Sequence, residues 1–248
     1  RNDAFAITEA ARRPELKCVE PRTLAQTDMI QVHRVLERMI RQRTALINQL
    51  RGFLNEYGIV VARGKEKLLA AMPDLLEAAE NGLTPSSRAL FQALHEQWRQ
   101  ANAAIERIEK CLRSEAKSDE AAQRLMRMNG VAAKISTAAI AHAGNGHGYK
   151  SGRHFAANLG LVPREHSSGG QQKLSGISKR GNQYLRRLLI QGAWSVVRNV
   201  DKNDDRMSRW AGQLVERRGK HKAVVAVANK MARIMWSMLY HQMEFRAN

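Results

Sequence analysis

The chain has 248 residues, of which 44% are hydrophobic, so it can build one or two packed domains and is not a uniformly disordered protein. Aromatic residues make up only 5%, a balance that favours a mainly α-helical fold over a sheet. With 41 Lys and Arg against 23 Asp and Glu, the net charge is +18, which indicates polyanionic partners. No apolar run approaches the roughly 20 residues that cross a bilayer, so no membrane partner is expected.

The positive charge is concentrated in the C-terminal part of the chain. Residues 150–248 hold 19 basic and 6 acidic residues, a balance of +13, whereas residues 1–149 carry +5. We therefore expect the C-terminal part to make most of the contacts with a polyanion. Cys18 and Cys111 form neither a C-x-x-C motif nor a disulfide framework, which favours a reducing cytoplasm.

The N-terminal residues predict a short helix and a linker. Asn2 or Asp3 can cap a helix over residues 2–12, and Pro14 and Pro21 indicate a linker after it. A long helix is expected to begin near Asp28.

Two runs of apolar residues at heptad spacing follow. In the first, six of seven positions are apolar, and in the second all seven are: Val32, Leu36, Met39, Arg43, Leu46, Leu50 and Phe53; then Phe91, Leu94, Trp98, Ala101, Ile105, Ile108 and Leu112. Pro73, Gly82 and Pro85 are expected to interrupt the connection between them. Residues 28–118 are thus predicted to form a coiled-coil helical arm or antiparallel hairpin that assembles a homo-oligomer. An ordinary helical bundle without a partner chain is the alternative.

Residues 119–248 predict a second, helical domain. The segment LMRMNGVAAKISTAAIAHAG is similar to a helix-hairpin-helix element, in which turn amides at Gly130 would approach a phosphate. Ala132 replaces the usual second glycine, so a plain helical hairpin is the alternative. A short helix is expected over residues 153–159, after which loop residues dominate up to Gly181, and helices are expected over residues 182–199 and 222–240. An apolar stripe on the last helix predicts a core: Val224, Val227, Met231, Ile234, Met235 and Met238.

The segment 163–187 combines serines, glycines and many cations. In a basic loop, Arg and Lys beside an attacking hydroxyl would stabilise the charge that grows on a phosphodiester, and glycines would let the backbone approach it. A solvated surface loop without chemistry is the alternative interpretation.

This segment also carries a family resemblance. LGLVPREHSSGG followed by ISKRGNQYLRRLL resembles the C-terminal transposase domain of the insertion-sequence 110/1111 family, RNA-guided serine recombinases of bacterial mobile elements. MNGVAAKISTAAIAHAG and HFAANLGLVP fit the same domain. NDAFAITEAARRP resembles the end of that family's α/β ribonuclease-H-like first domain, so residues 1–27 would be its remnant and linker.

The resemblance implies specific roles. Ser168 falls on the nucleophilic serine, and Asp3 on the last of four carboxylates that bind Mg²⁺. The other three would precede Arg1, so the isolated chain is expected to be an inactive fragment. Contacts with double-stranded DNA and a structured guide RNA are expected from the basic and glycine residues, namely Gly130, Arg164, Gly169, Lys173, Lys179, Arg180, Arg186 and Arg187.

Two other function classes fit the composition. A non-catalytic architectural protein could grip phosphates with its basic half and dimerise through its heptads. A ribosome-associated basic helical protein would fit the charge, but it would not explain the Ser-Gly loop beside a long arm.

Overall fold

The computed structural model describes residues 2–13, 15 and 21–245; Cys18 and Pro14 lie outside these. The described residues form ten α-helices and a two-stranded sheet, so the prediction of a mainly α fold is confirmed. The helices are α1 Asn2–Ala11, α2 Leu24–Glu56, α3 Lys65–Glu77, α4 Pro85–Ser118, α5 Glu120–Met126, α6 Ala133–Ala143, α7 Gly152–Asn158, α8 Gln183–Arg198, α9 Arg206–Arg218 and α10 Lys220–His241. The strands are β1 Pro163–Glu165 and β2 Leu174–Ile177, and Val200–Lys202 form a short 3₁₀ helix.

The two heptad runs pack against each other within the chain. Leu36 near the start of α2 clusters with Ile105 and Leu112 near the end of α4, whereas Leu50 near the end of α2 clusters with Phe91 near the start of α4. The helices are therefore antiparallel, and each seam covers the other. The central polar position of the first seam is also matched, because Arg43 donates to Asn102 at 2.7 Å.

The boundaries of this arm differ from the sequence prediction at two places. The helix α2 begins at Leu24, four residues before Asp28, because Thr23 and Gln26 form a reciprocal capping box. Pro73 does not interrupt the connection but lies inside α3. Burial of its neighbours Leu68 and Met72 in the cluster at the tip of the arm outweighs the cost of a helix-interior proline, about 3 kcal/mol.

The C-terminal domain is built around α10. Five of the six residues of the predicted stripe on this helix are buried in the core, with Val227, Met231 and Met235 fully buried, whereas Ile234 is only partly buried. The helices α5 to α9 pack around it in a single hydrophobic cluster. The helix α9 was missed by the sequence prediction, which placed helices over residues 182–199 and 222–240 and none between them. Its start is capped by Asp205, which accepts from the amides of Met207 and Ser208.

The turn between α5 and α6 requires a glycine at position 130. Gly130 has a φ of +82°, and a Cβ there would lie 2.5 Å from the carbonyl oxygen of Gly192 on α8. A Cβ at Gly192 would in turn overlap the Gly130 carbonyl oxygen. The two glycines thus let the turn and α8 touch through their backbones, a packing role that the sequence did not reveal.

Candidate functional site

The serine-glycine segment forms the tip of a β-hairpin rather than the irregular loop expected from its composition. The strands β1 and β2 pair antiparallel, and the amide of Gln171 donates to the carbonyl of Ser168 at 3.0 Å. Gly169 and Gly170, the two central turn residues, have φ values of +57° and +77°. Positive φ at both positions is the requirement of a tight hairpin turn, which two glycines meet without strain.

Adjacent serines at this tip have different surroundings. The Ser167 hydroxyl donates to Glu165 Oε1 at 2.6 Å and accepts from the Lys173 amide at 3.2 Å, so it is held within the hairpin. The Ser168 side chain makes no hydrogen bond with any residue that the structure describes. Residues 163–176 are all exposed, so the Ser168 side chain is open to solvent.

Exposed cations surround the hairpin. Arg164 lies on β1, Lys173 directly precedes β2, and Lys179 and Arg180 follow the hairpin. None of these four forms a salt bridge within residues 2–13, 15 and 21–245, so their charge is available to an anion. The one hairpin carboxylate, Glu165, is engaged by Ser167.

The residues after the hairpin are packed tightly against the domain. A Cβ at Gly181 would overlap the Asn158 carbonyl oxygen, and one at Gly160 would overlap the Arg180 carbonyl oxygen. Lys179 occupies the left-handed region with a φ of +56°, and its amide donates to the Gly160 carbonyl. This contact fixes the backbone between the hairpin and α8.

Arg186 and Arg187 have different roles from each other. Arg186 is 9% exposed, and its Nη1 donates to the carbonyl oxygens of Leu159 at 2.8 Å and Arg180 at 3.1 Å. Burial lowers the pKa of its guanidinium. Its guanidinium is therefore bonded to backbone inside the domain. Arg187 is half-exposed and pairs with Glu37 of α2 at 2.9 Å, so it joins the domain to the arm.

The two remaining predicted site residues, Asp3 and Gly130, lie outside the hairpin and the segment that follows it. Asp3 is exposed in the first turn of α1, a helix with no buried residue. No group of three or more His, Cys, Asp or Glu side chains that could hold a metal ion occurs in the described part of the chain. Gly130 packs on α8 as described above, and the helix-hairpin-helix assignment stays a prediction.

A polar cluster between the arm and the domain was missed by the sequence prediction. His33 on α2 is buried, with Nδ1 2.9 Å from the Tyr184 hydroxyl and Nε2 3.0 Å from the Thr137 hydroxyl. Burial first, and then the charge of Lys134, lower the pKa of His33 to about 4. Burial also raises the pKa of Tyr184 to about 12, with Glu37 contributing.

A second histidine completes this cluster. His142 Nε2 lies 2.8 Å from Asn158 Oδ1, and its Nδ1 lies 3.2 Å from Asn182 Nδ2, beside a cavity of about 230 Å³. Burial lowers the pKa of His142. The residues of this cluster come from four separate parts of the sequence, so no local motif predicts that they meet. The cluster contacts Asn182, whose side chain accepts from the Leu185 amide and so caps the start of α8.

Comparison with known proteins gives a consistent result. The profile of the "Transposase IS116/IS110/IS902 family" matches residues 122–209, which include the hairpin. The chain is 40% identical over 246 residues to the transposase for insertion sequence element IS1111A of Coxiella burnetii, covering 99% of this chain and 68% of that protein. It is also 40% identical to a probable family 20 transposase of Pseudomonas aeruginosa, covering 99% and 73%.

A third relative supports the same assignment. The transposase for insertion sequence element IS1328 of Yersinia enterocolitica is 38% identical over 236 residues, which cover 94% of this chain and 69% of the relative. Among the described residues, no helix is both long and apolar enough to cross a membrane. Because the identity extends over nearly the whole chain and most of each relative, the chain belongs to the IS116/IS110/IS902 family of insertion-sequence transposases.

Proposed function

We propose that this transposase cleaves DNA by attack of the Ser168 hydroxyl on a phosphodiester. The observation that supports this role is the contrast at the hairpin tip: Ser167 is tied to Glu165 and Lys173, while Ser168 is exposed and unengaged among the described residues. A nucleophile must reach phosphorus in line with the leaving oxygen, so an exposed and unengaged hydroxyl is the better candidate.

The proposed step conserves atoms and charge. Ser168 Oγ forms a bond to phosphorus, and one P–O bond to a deoxyribose breaks. The hydroxyl proton passes to solvent, and the leaving oxygen takes a proton from solvent. The product is a phosphoserine link between the chain and one DNA end. Attack on that link by a deoxyribose hydroxyl of another strand releases Ser168 and joins the strands.

The surroundings of Ser168 suit this chemistry. Negative charge grows on the phosphate oxygens in the transition state, and Arg164, Lys173, Lys179 and Arg180 are exposed cations on or beside the hairpin. A Cβ added at Gly169 or Gly170 would have no described atom within 4 Å. The backbone of the turn is therefore uncovered and can come close to a phosphate.

The described residues do not fit the Mg²⁺ site that the family resemblance implies. Asp3 is a single exposed carboxylate, whereas two Mg²⁺ ions need several oxygen ligands. We therefore derive no step through a metal. Selection of the DNA sites by a structured guide RNA and assembly through the arm are further parts of the proposal; the charge of +13 over residues 150–248 supports contact with such polyanions.

The test is covalent capture of a DNA strand. The natural gene product that contains this sequence is incubated with Mg²⁺, the RNA of its element and labelled DNA carrying the ends of that element, and adducts are separated under denaturing conditions. Ser168→Ala should abolish the adduct, whereas Ser167→Ala, the matched neighbouring change, should retain it. DNA affinity should be nearly equal in all three proteins, because one hydroxyl contributes little to a many-phosphate contact.

The alternative is a non-catalytic architectural role. It is favoured by the lack of a metal-binding group among the described residues. A wild-type protein that binds DNA but forms no adduct with Mg²⁺ present would establish this alternative. An adduct that survives Ser168→Ala would move the nucleophile to another residue.

A further inference from the structure

A large groove lies at the foot of the hairpin. It has a volume of about 1020 Å³ and runs between α7, α9, α10 and the bases of β1 and β2. Its surface is mainly apolar, with Leu161, Pro163, Ile177, Val225, Ala226 and Ile234 among the lining side chains. Pro163 and Ile177 are paired residues at the base of the hairpin, so the groove and the Ser168 tip belong to opposite ends of the same element.

Two tryptophans line this groove. Trp236 is held in place by a hydrogen bond from Nε1 to the Gly146 carbonyl at 2.9 Å. One side of its ring stacks on Tyr240, with centroids 4.9 Å apart and planes at 27°. Trp210 lies on α9, with the ammonium of Lys230 4.0 Å from its ring centroid. Trp210 and Trp236 thus lie in the wall of the groove as fixed aromatic rings, with Lys230 over the first and Tyr240 against the second.

Among the residues that the structure describes, no carboxylate lines the groove, and four cations do: Arg153, Lys222, Lys230 and Arg233. None of the four forms a salt bridge within the described ranges. Burial, followed by the charges of Arg206 and Arg233, lowers the pKa of Lys230. Like charges gathered around a partly buried lysine repel one another, and a bound anion would relieve this repulsion.

A nucleotide has the chemistry that fits such a groove. Its base offers a flat face that stacks on aromatic rings, and its phosphate offers the anion that the cations lack. An acidic peptide would satisfy the cations but would leave the tryptophan surfaces without a stacking partner. In a duplex the base faces are already stacked, so the base must come from an unpaired strand.

We infer that this groove binds unpaired nucleotides, with bases against Trp210 and Trp236 and phosphates at Lys230 and Arg233. The inference rests on the proposed function and deepens it. A strand held at the foot of the hairpin would be kept open beside the element that carries Ser168. The groove thus takes single-stranded nucleic acid as its ligand class, and DNA and RNA are distinguished by the experiment.

The first experiment measures affinity for oligo-dT, oligo-rU and duplex DNA of equal length by fluorescence anisotropy. All proteins carry Ser168→Ala and all solutions contain EDTA, so cleavage plays no part. Lys230→Met should weaken binding of the single strands by about tenfold, with a smaller effect on the duplex. Lys67→Met, the same change at an exposed position on α3, should leave single-strand binding unchanged. The preferred oligonucleotide identifies the strand as DNA or RNA.

The second experiment needs no change in the groove itself. In a chain with Trp98→Phe and Trp194→Phe, Trp210 and Trp236 are the remaining tryptophans of the four in the sequence. Stacking of a base should quench their fluorescence as the oligonucleotide is added. Binding without quenching, or equal affinity of Lys230→Met and Lys67→Met, would overturn the inference.

These outcomes are separable from failure of the proposed function. If the groove variants lose single-strand affinity but the wild-type protein forms no DNA adduct, the groove stands and the Ser168 chemistry fails. If the adduct forms normally and the groove variants bind single strands like the wild type, only the groove assignment fails. A change of oligomeric mass on Lys230→Met, with unchanged oligonucleotide binding, would assign the groove to a protein partner instead.

Discussion

The hairpin at residues 163–177 and the packed segment at 178–187 are adjacent in sequence but have different physical roles. Both contain Gly and Lys or Arg, yet a Cβ would meet no described atom within 4 Å at Gly169 or Gly170 and would overlap backbone at Gly181. Arg164 is exposed, whereas Arg186 is buried among carbonyl oxygens. One stretch of sequence thus supplies both a surface element and the structural support beneath it.

The largest expected effect tests the packed segment. Gly181→Ala adds a Cβ where the Asn158 carbonyl oxygen lies and also places Ala at a φ of +82°. We expect the free energy of unfolding to fall by about 3 kcal/mol or more, from backbone strain and displacement together. Gly176→Ala is the matched control, because its Cβ would meet open space at an ordinary φ. Urea denaturation should show it within about 0.5 kcal/mol of the wild type.

A change of pH probes the same packed segment without any substitution, because Tyr184 within it contacts His33. The pKa of His33 is lowered from 6.5 to about 4 in the folded state, so the unfolded state binds the proton more readily. The stabilisation is complete above pH 6.5 and is lost as the pH falls towards 4. The loss should be about 3 kcal/mol from His33, with His142 acting in the same direction.

Equilibrium unfolding at successive pH values measures this effect. His33→Gln should flatten the dependence of stability on pH in this window, and an unchanged slope would show that His33 is not its source. Because Gln keeps a donor and an acceptor, it can still bond one of the two hydroxyls.

The third expected effect separates the two neighbouring arginines. Arg186→Met leaves the carbonyl oxygens of Leu159 and Arg180 without their donor in a buried place, so stability should fall by about 2 kcal/mol. Arg187→Met removes one half-exposed ion pair with Glu37 and should cost less than about 1 kcal/mol. Thermal unfolding of the two variants measures both losses of stability, and equal losses would contradict this distinction.

A small effect on stability is also expected in the hairpin. Gly169→Ala meets no neighbouring atom but places Ala at a φ of +57°, which costs about 1 kcal/mol and is confined to the turn. Calorimetry should therefore show a small change in global stability. Adduct formation by Ser168 should fall strongly, because the turn that presents the hydroxyl is distorted. A large loss of stability instead would show that the hairpin is part of the core.

The predictability of the fold varied with how local the signal was. The long helices α2 and α4 and the buried stripe of α10, apart from Ile234, follow from apolar spacing and were predicted correctly, and the coiled-coil assembly stays a prediction. The start of α9 has a capping residue, Asp205. It was overlooked because it lies in a run of charged residues that shows no helical apolar spacing. The hairpin was missed because its strands have three and four residues and exposed side chains, so they show no alternating apolar pattern.

The candidate site was predicted in part for the same reason. Ser168 and its basic surroundings follow from the sequence and its family resemblance, and their function stays a proposal. The opposite environments of Ser167 and Ser168 depend on contacts with Glu165 and Lys173 across the turn. The groove with Trp210 and Trp236 joins residues from distant helices.

The sequence by itself determined the mainly helical fold, the family, the strong positive charge of the C-terminal part and the glycines of the turn. These properties depend on composition, local spacing or a motif that is read within a few residues. Only the tertiary structure decided that the two seams cover each other, that Arg186 is buried and that Gly130 touches Gly192. The physical reason is that burial and backbone contact are relations between segments far apart in the chain, and no local pattern of residues specifies them.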